Sequence, residues 1–222
     1  MSPTPEPRRI TMTPGARRAL EAASRLFYER GIHAVGVDLI AAEAGVTKKT
    51  LYDRFGSKDQ LIVEYLAARD ERWRAFLAER LAAVSPGADD VRPPGVARVL
   101  AVFDASRAWM EANSPRGCGM VNAHAEIDDR THPAYTVIAG QKTWMLELFT
   151  RLAREAESGA GDGAGAGDGA GAGDGAGAGD GKAVRLGRTL MLLHEGALVA
   201  HGLRVFPDAL GAAREQARAL LT

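Results

Sequence analysis

The stretch Val37–Lys58, VDLIAAEAGVTKKTLYDRFGSK, decides how this chain folds, because its apolar positions and punctuation describe two short helices meeting at a tight turn. Val37, Ile40, Ala41 and Ala44 recur at three- and four-residue steps, so they share one face. Gly45 ends that helix, since glycine accepts the left-handed conformation past a helix C-terminus. Thr47 can then accept the free N–H groups that open the next helix. In the second helix Leu51 and Phe55 form the inward stripe. Lys48, Lys49, Thr50, Tyr52 and Arg54 are left outside with one acid, Asp53. A helix presented this way fits the major groove of B-DNA. Lys48, Lys49, Thr50 and Tyr52 are the expected groove contacts. Thr47, Arg54 and Lys58 are expected on phosphates, Lys58 because it stands at the positive end of the following helix. The same spacing also fits a plain helical hairpin with a solvated basic face.

The flanks carry helix signals of their own. Thr13 with Pro14 reads as a cap and first turn, and Ala16, Ala19, Leu20, Ala23, Leu26 and Phe27 make the buried stripe of a helix closed by Gly31. On the other side Ser57 and Gln60 have capping-box spacing. They open a helix carrying Leu61, Ile62, Tyr65, Leu66, Trp73, Phe76, Leu77, Leu81 and Val84, about 40 Å long if unbroken.

The run AAEAGVTKKTLYDRFGSKDQL, preceded by a helix ending in FYERG, closely resembles the N-terminal domain of tetracycline-repressor-type (TetR family) transcriptional regulators. The resemblance is strong from residue 13 to about residue 75. Gly36 and Lys49 depart from it. Many relatives place threonine or serine at the first position, where Gly36 is a weaker cap, and glycine at the second. Lys49 sets a long cation where relatives let the backbone approach closely, so their operator sequences do not transfer.

Composition agrees with a soluble domain protein. The 222 residues are 46% apolar, enough for a packed core in one or two domains. Net charge is zero, yet residues 1 to 60 hold 10 Lys+Arg against 7 Asp+Glu, the sign a DNA-binding head requires. One cysteine, Cys118, excludes an internal disulfide and fits a reducing compartment. The N-terminus MSPTPEPRRI is not a secretion signal and no apolar run reaches membrane-spanning length. A cytoplasmic protein without membrane contact is expected.

Beyond Val84 the pattern stays helical, and the expected class is all-α. Residues 85 to 95 read as a breaker-rich loop, followed by helices over about 96–113, 118–127, 134–157 and 183–205 and a final helix opened by Pro207 and Asp208. Residues 159 to 181 repeat a GAGAGD unit with nothing to bury and read as a flexible linker. The division expected is a disordered arm over 1–12, a helix-turn-helix domain over 13–56 and a ligand-binding and dimerisation domain over 57–222. The helix over 183–205 is apolar on nearly every side and must be covered all round, with Gly187, Gly196, Ala200 and Gly202 permitting close approach.

GCGMVNAHAEI, with the later HP and KTW, resembles more loosely a TetR subgroup in which a glycine-cysteine pair opens the sixth helix. The family resemblance implies a homodimer in which the last two helices of each subunit form a four-helix interface, here with Leu190, Leu193, Ala197, Ala200, Leu210, Ala213 and Ala217. It also implies a middle bundle that takes a small-molecule effector and splays the DNA heads. Candidate walls are Phe76, Phe103, Arg107, Met110, Met120, Asn122, His124, Trp144 and Phe149. The function implied is a repressor released from a palindromic operator by a largely apolar effector. An activator, a ligand-independent regulator, or a small-molecule enzyme or carrier on a helical scaffold with a vestigial DNA head stay open, although the sequence carries no catalytic constellation and no enzyme is expected. Neither a metal nor a cofactor is expected: His124, Glu126 and His132 lack metal-ligand spacing, His194-Glu195 lacks the second histidine of a zinc-protease motif, and no nucleophile elbow or phosphate loop occurs. Cys118 reads as a small packed residue, with a thiol sensor as the alternative.

Overall fold

A computed structural model describes residues 9–84, 94–161 and 175–221, and every regular element among the described residues is a helix. Helix α1 spans Pro14–Arg30, α2 Val37–Ala44, α3 Lys48–Phe55 and α4 Lys58–Ala82. They are followed by α5 Pro94–Asn113, α6 Gly119–Glu126, α7 Pro133–Gly161, α8 Gly175–Leu203 and α9 Ala209–Leu221. The all-helical expectation therefore holds, and α4 at 25 residues is about 37 Å long.

Local chemistry sets the first helices as the sequence indicates. The Thr13 hydroxyl accepts the N–H of Ala16 at 3.3 Å, and Pro14 occupies the first turn, where its missing N–H costs nothing. Ala16, Ala19, Ala23, Leu26 and Phe27 are buried. Burying each of the larger side chains stabilises the fold by about 1.5–3 kcal/mol.

By contacts the chain divides into two units, one holding the described part of Met1–Trp73 together with Arg116–Lys142, the other Arg74–Pro115 with the described part of Thr143–Thr222. The boundary falls inside α4 and again inside α7. In the first unit α6 and the start of α7 share the core of α1–α4: Met120, Ala123, Ile127, Ala134 and Ile138 join Leu26, Phe27, Ile40, Leu51, Phe55, Leu61 and Leu66. Polar contacts fasten α6 at both ends. The Tyr28 hydroxyl donates to the Gly117 carbonyl at 3.0 Å and accepts the Arg116 N–H at 2.9 Å, while Glu126 binds the backbone N–H of His33.

In the second unit Phe103, Met145, Leu148, Phe149, Leu152, Leu190, Leu210 and Ala217 are buried, and α9 packs on both α5 and α8. Helices α7 and α8 meet at backbone distance: a Cβ on Gly187 would lie 2.5 Å from the Thr150 hydroxyl and 2.7 Å from its Cα. Only glycine fits that contact.

Three expectations change. Residues 9–12, placed in a disordered arm, are pinned to α4: the fully buried carboxylate of Glu64 accepts Arg9 Nε at 2.9 Å, the Ile10 N–H at 2.9 Å and Gln60 Nε2 at 3.2 Å. A buried carboxylate needs such partners, and nothing local in the sequence announces a contact spanning more than fifty residues. Residues 1–8 of that arm lie outside the described residues, as do 85–93 of the expected loop. Of the expected linker, α7 runs to Gly161 and α8 begins at Gly175, with Arg154 paired to Asp180 at the foot of α8. The remaining 162–174 lie outside the described residues. Finally, α8 is not covered all round within the subunit: Leu192 is 74% and Leu203 72% exposed.

Candidate nucleic-acid interface

The turn between α2 and α3 is built by its backbone. Gly45 adopts φ 60° and ψ 41°, in the left-handed region, and its N–H returns to the carbonyls that end α2. Thr47 then caps α3, its hydroxyl accepting the Thr50 N–H at 3.0 Å and meeting the Thr50 hydroxyl at 2.9 Å. Gly36 starts α2 without a side-chain hydrogen bond, as expected of glycine at that position. Helix α1 braces the pair: Arg18 Nε donates to the Ala44 carbonyl at 3.2 Å, and Arg25 pairs with Glu43.

Leu51 and Phe55 are buried, which turns Lys48, Lys49, Tyr52 and Arg54 to solvent; Tyr52 is 45% exposed for a large ring. Two of these cations already have acids beside them. Lys48 Nζ lies 3.0 Å from Asp38, whose hydrogen bond and charge hold the ammonium above the usual lysine pKa. Lys49 Nζ lies 2.6 Å from Asp53, one helical turn away. Arg54 has no ion-pair partner among the described residues, so it is the side chain freest to meet a phosphate.

Lys58 requires a correction. Its ammonium donates to the Ile32 carbonyl at 2.7 Å and stands 5.9 Å from the Phe27 ring centroid. The long side chain folds back on the domain instead of extending from the start of α4. Ser57 caps that helix, accepting the Gln60 N–H at 3.0 Å.

The residues expected to line an effector chamber are not all brought together. In the second unit Phe103 and Phe149 are ring neighbours at 5.8 Å, Phe76 meets Trp109 at 5.4 Å, and the Arg74 guanidinium lies 4.3 Å from the Trp144 ring. Met110 is buried near the end of α5. Arg107, expected inward, instead pairs with Asp208 at 2.8 Å in a part-exposed contact. In the first unit Met120 belongs to the core shared with α1–α4, Asn122 donates to the Arg116 carbonyl at 3.1 Å, and His124 is exposed, edge-on to Tyr135. Helix α6 spends its apolar face on that core.

Two buried polar residues, His194 and Gln141, were missed. His194, buried between Phe103 and Phe149 at 5.8 and 5.5 Å, lies 2.8 Å from the Ser106 hydroxyl. Because that hydroxyl donates to the Val102 carbonyl at 2.8 Å, it can only accept from His194, so Nε2 carries the proton. Gln141 is 6% exposed and its Oε1 is buried without a hydrogen-bond partner. It sits between Ile138 and Met145 on the inward stripe of α7, a polar residue at a core spacing. Cys118 is a free thiol at the N-cap of α6, 3.6 Å from Lys142 Nζ.

The dimer-face expectation needs revision too. Leu190, Ala197, Leu210, Ala213 and Ala217 are buried inside the subunit, and Leu193 and Ala200 are half-buried. Among the described residues, the large exposed apolar side chains other than Tyr52 lie on α8, on α9 or on the turn between them: Leu192, Val199, Leu203, Val205, Phe206 and Leu220. An all-round apolar helix does not reveal which face its own subunit takes.

Among the described residues no three His, Cys, Asp or Glu side chains gather to hold a metal ion, and no helix is long and apolar enough to cross a membrane.

Residues 19–65 match bacterial regulatory proteins of the tetR family, and residues 95–164 match a tetracyclin repressor-like C-terminal domain. A TetR-family transcriptional regulator from Streptomyces coelicolor superposes with a TM-score of 0.70 at 31% identity, covering 94% of this chain and 92% of that one. An HTH-type transcriptional activator, FasR of Mycolicibacterium smegmatis, is 51% identical over 47 residues, 21% of this chain and 22% of its own length. The HTH-type regulator TtgR of Pseudomonas putida is 30% identical over 110 residues, half of each chain. With a helix-turn-helix head, a helical C-terminal region and a relative alike over almost its whole length, this chain belongs to the TetR family of transcriptional regulators.

Proposed function

We propose that this regulator is a cytoplasmic homodimer that represses transcription from a palindromic operator and releases it when a small, largely apolar effector binds the body. The observation carrying the reading is the outward face of α3, where Lys48, Lys49, Tyr52 and Arg54 stand on a helix fixed by its Thr47 cap. On this reading residues 13–56 contact DNA, with Lys48, Lys49, Thr50 and Tyr52 in the groove and Thr47 and Arg54 on phosphates. Residues 57–222 bind effector and partner.

Dimerisation is supported by the exposed apolar side chains of α8, α9 and their turn, a concentration unusual for a surface that meets only water. Two-fold pairing there would set two reading helices about 34 to 36 Å apart, one turn of DNA. An effector is supported by Gln141, whose buried amide oxygen has no hydrogen-bond partner among the described residues and suits a ligand hydroxyl or N–H. The glycine-cysteine pair at the start of α6 is the basis for placing the chain in that subgroup. Effector and operator then oppose each other by one shared factor: a ligand that weakens DNA binding is itself weakened equally by DNA.

The similarity to a protein named as an activator is confined to 47 residues and leaves the sign of regulation to experiment. The test is a reporter fused to the DNA upstream of the chain's own coding region, read with and without the protein and across apolar compounds bearing a donor group. Repression relieved by a compound is the expected result. Expression that rises when the protein is supplied would make it an activator.

A further inference from the structure

Along the outer face of α8 the exposed positions Arg185, Thr189, Leu192, Gly196, Val199 and Leu203 follow one another at alternating steps of four and three. That spacing is the seam of a helix that meets a second helix. The seam is chemically uneven. Its first end is basic, with Arg185 on the seam and Arg188 beside it, and neither arginine has an acid partner among the described residues. Its middle is apolar or open, nothing lying within 4 Å of where a Gly196 Cβ would stand.

Its other end runs into the turn before α9. There a groove of about 440 Å³ opens between the end of α5 and the turn, lined among others by Met110, Glu111, Arg204, Val205, Phe206 and Asp208. Glu111 is exposed and has no ion-pair partner among the described residues, whereas Asp208 is engaged with Arg107. Arg204 and Asp208 hold φ of 55° and 52°, conformations that cost a side-chain-bearing residue, and between them Val205 and Phe206 stay exposed.

A two-fold axis allows α8 to meet its copy in parallel or antiparallel. Parallel pairing stacks Arg185 and Arg188 on their own copies, which is repulsive. Antiparallel pairing centred between Glu195 and Gly196 sets Leu192 against Val199 of the partner subunit. At 1.5 Å per residue, Arg188 and Leu203 lie about 11 Å on either side of that centre. Arg188 therefore arrives beside Leu203 of the partner subunit, and Arg185 at the turn that carries its Phe206.

We propose that Arg185 and Arg188 of each subunit seat in the α5-turn groove of the other, a reciprocal lock at both ends of the α8 seam. The occupant of the groove is thus a second copy of this chain. The arginine stems lie on Met110 and Val205, and the guanidinium groups meet the Glu111 carboxylate and the face of Phe206. Arg204 and His201 also line the groove, and the Arg204 side chain is exposed. The lock rests on the homodimer reading above and names the contacts that fix its direction and register.

The test is sedimentation equilibrium of the full chain and of charge-reversed variants, with circular dichroism melting to confirm folding. Arg185→Glu with Arg188→Glu weakens dimerisation by about a hundredfold, tenfold for each of the two symmetric contacts, and Glu111→Lys weakens it in the same direction. All three substitutions in one chain restore the dimer to within a few-fold of wild type. Charge reversal without effect on a wild-type dimer, or weakening that the triple variant does not rescue, overturns the lock. A wild-type chain that stays monomeric, or a Leu192→Glu variant that dimerises normally, overturns the homodimer reading itself.

Discussion

Glu126, in the last turn of α6, accepts the backbone N–H of His33 through Oε2 at 2.8 Å, and the His33 ring returns a hydrogen bond from Nε2 to the Glu126 carbonyl at 2.7 Å. Two bonds thus tie the end of α6 to the segment between α1 and α2, more than ninety residues earlier. With Tyr28 gripping the Arg116–Gly117 turn, α6 moves as part of the DNA-reading unit. Glu126→Ala should cost about 1 kcal/mol, because the contact is part-exposed, and should speed amide exchange at His33. Urea denaturation and hydrogen exchange measure both. Unchanged protection at His33 would show that the contact does not hold α6.

Lys58 and Arg54 should separate cleanly in a salt titration of operator binding. Arg54→Ala should lower the slope of log K against log salt by about 0.9 per subunit contact, because a phosphate contact is lost. Lys58→Met should leave the slope unchanged and cost about 1 kcal/mol of stability, since the Ile32 carbonyl loses its donor. A lower slope in the Lys58 variant would return that lysine to the phosphates.

Burial raises the Tyr65 hydroxyl to about 12, two units above its ordinary value. The unfolded chain gives up this proton near pH 10 while the folded chain keeps it. The resulting stability is therefore complete below pH 10 and is lost as pH rises from 10 through 12, about 3 kcal/mol in all. Tyr65→Phe keeps the ring contact with Phe27 and should reduce the alkaline loss by that amount relative to wild type. Parallel alkaline profiles for the two proteins would contradict it.

Gln141→Leu replaces an amide whose buried oxygen has no partner with an apolar side chain of similar size. Stability should rise by about 1 kcal/mol while release from the operator by donor-bearing compounds is lost. A urea midpoint that falls would mean the amide is satisfied and structural.

The reading helices were legible because their signals are local: Gly45, Thr47 and the Leu51–Phe55 stripe lie within eleven residues and determine one another. What escaped depends on contacts far apart in sequence. Nothing in the run around Arg9 or Glu64 indicates that they pair, and the stripe of α6 does not say whether Met120 faces the head or the body. Lys58 has the residue type of a phosphate ligand, but its four-carbon stem lets it reach Ile32. On α8 almost every position is apolar, so periodicity could not distinguish Leu190, buried in its own subunit, from Leu192, exposed on the outer face. Gln141 was visible as a polar residue at core spacing, a signal that carries meaning only once its burial is known.

The most direct measurement is footprinting of the purified protein on DNA upstream of its own coding region at about 0.15 M salt, where nonspecific phosphate binding is already weak. Wild-type protein should protect a two-fold symmetric site, and Tyr52→Ala, equally folded because the ring lies off the buried stripe, should lose that protection. A Tyr52→Ala variant that protects the same bases as strongly as wild type would contradict the claim that this face of α3 reads DNA.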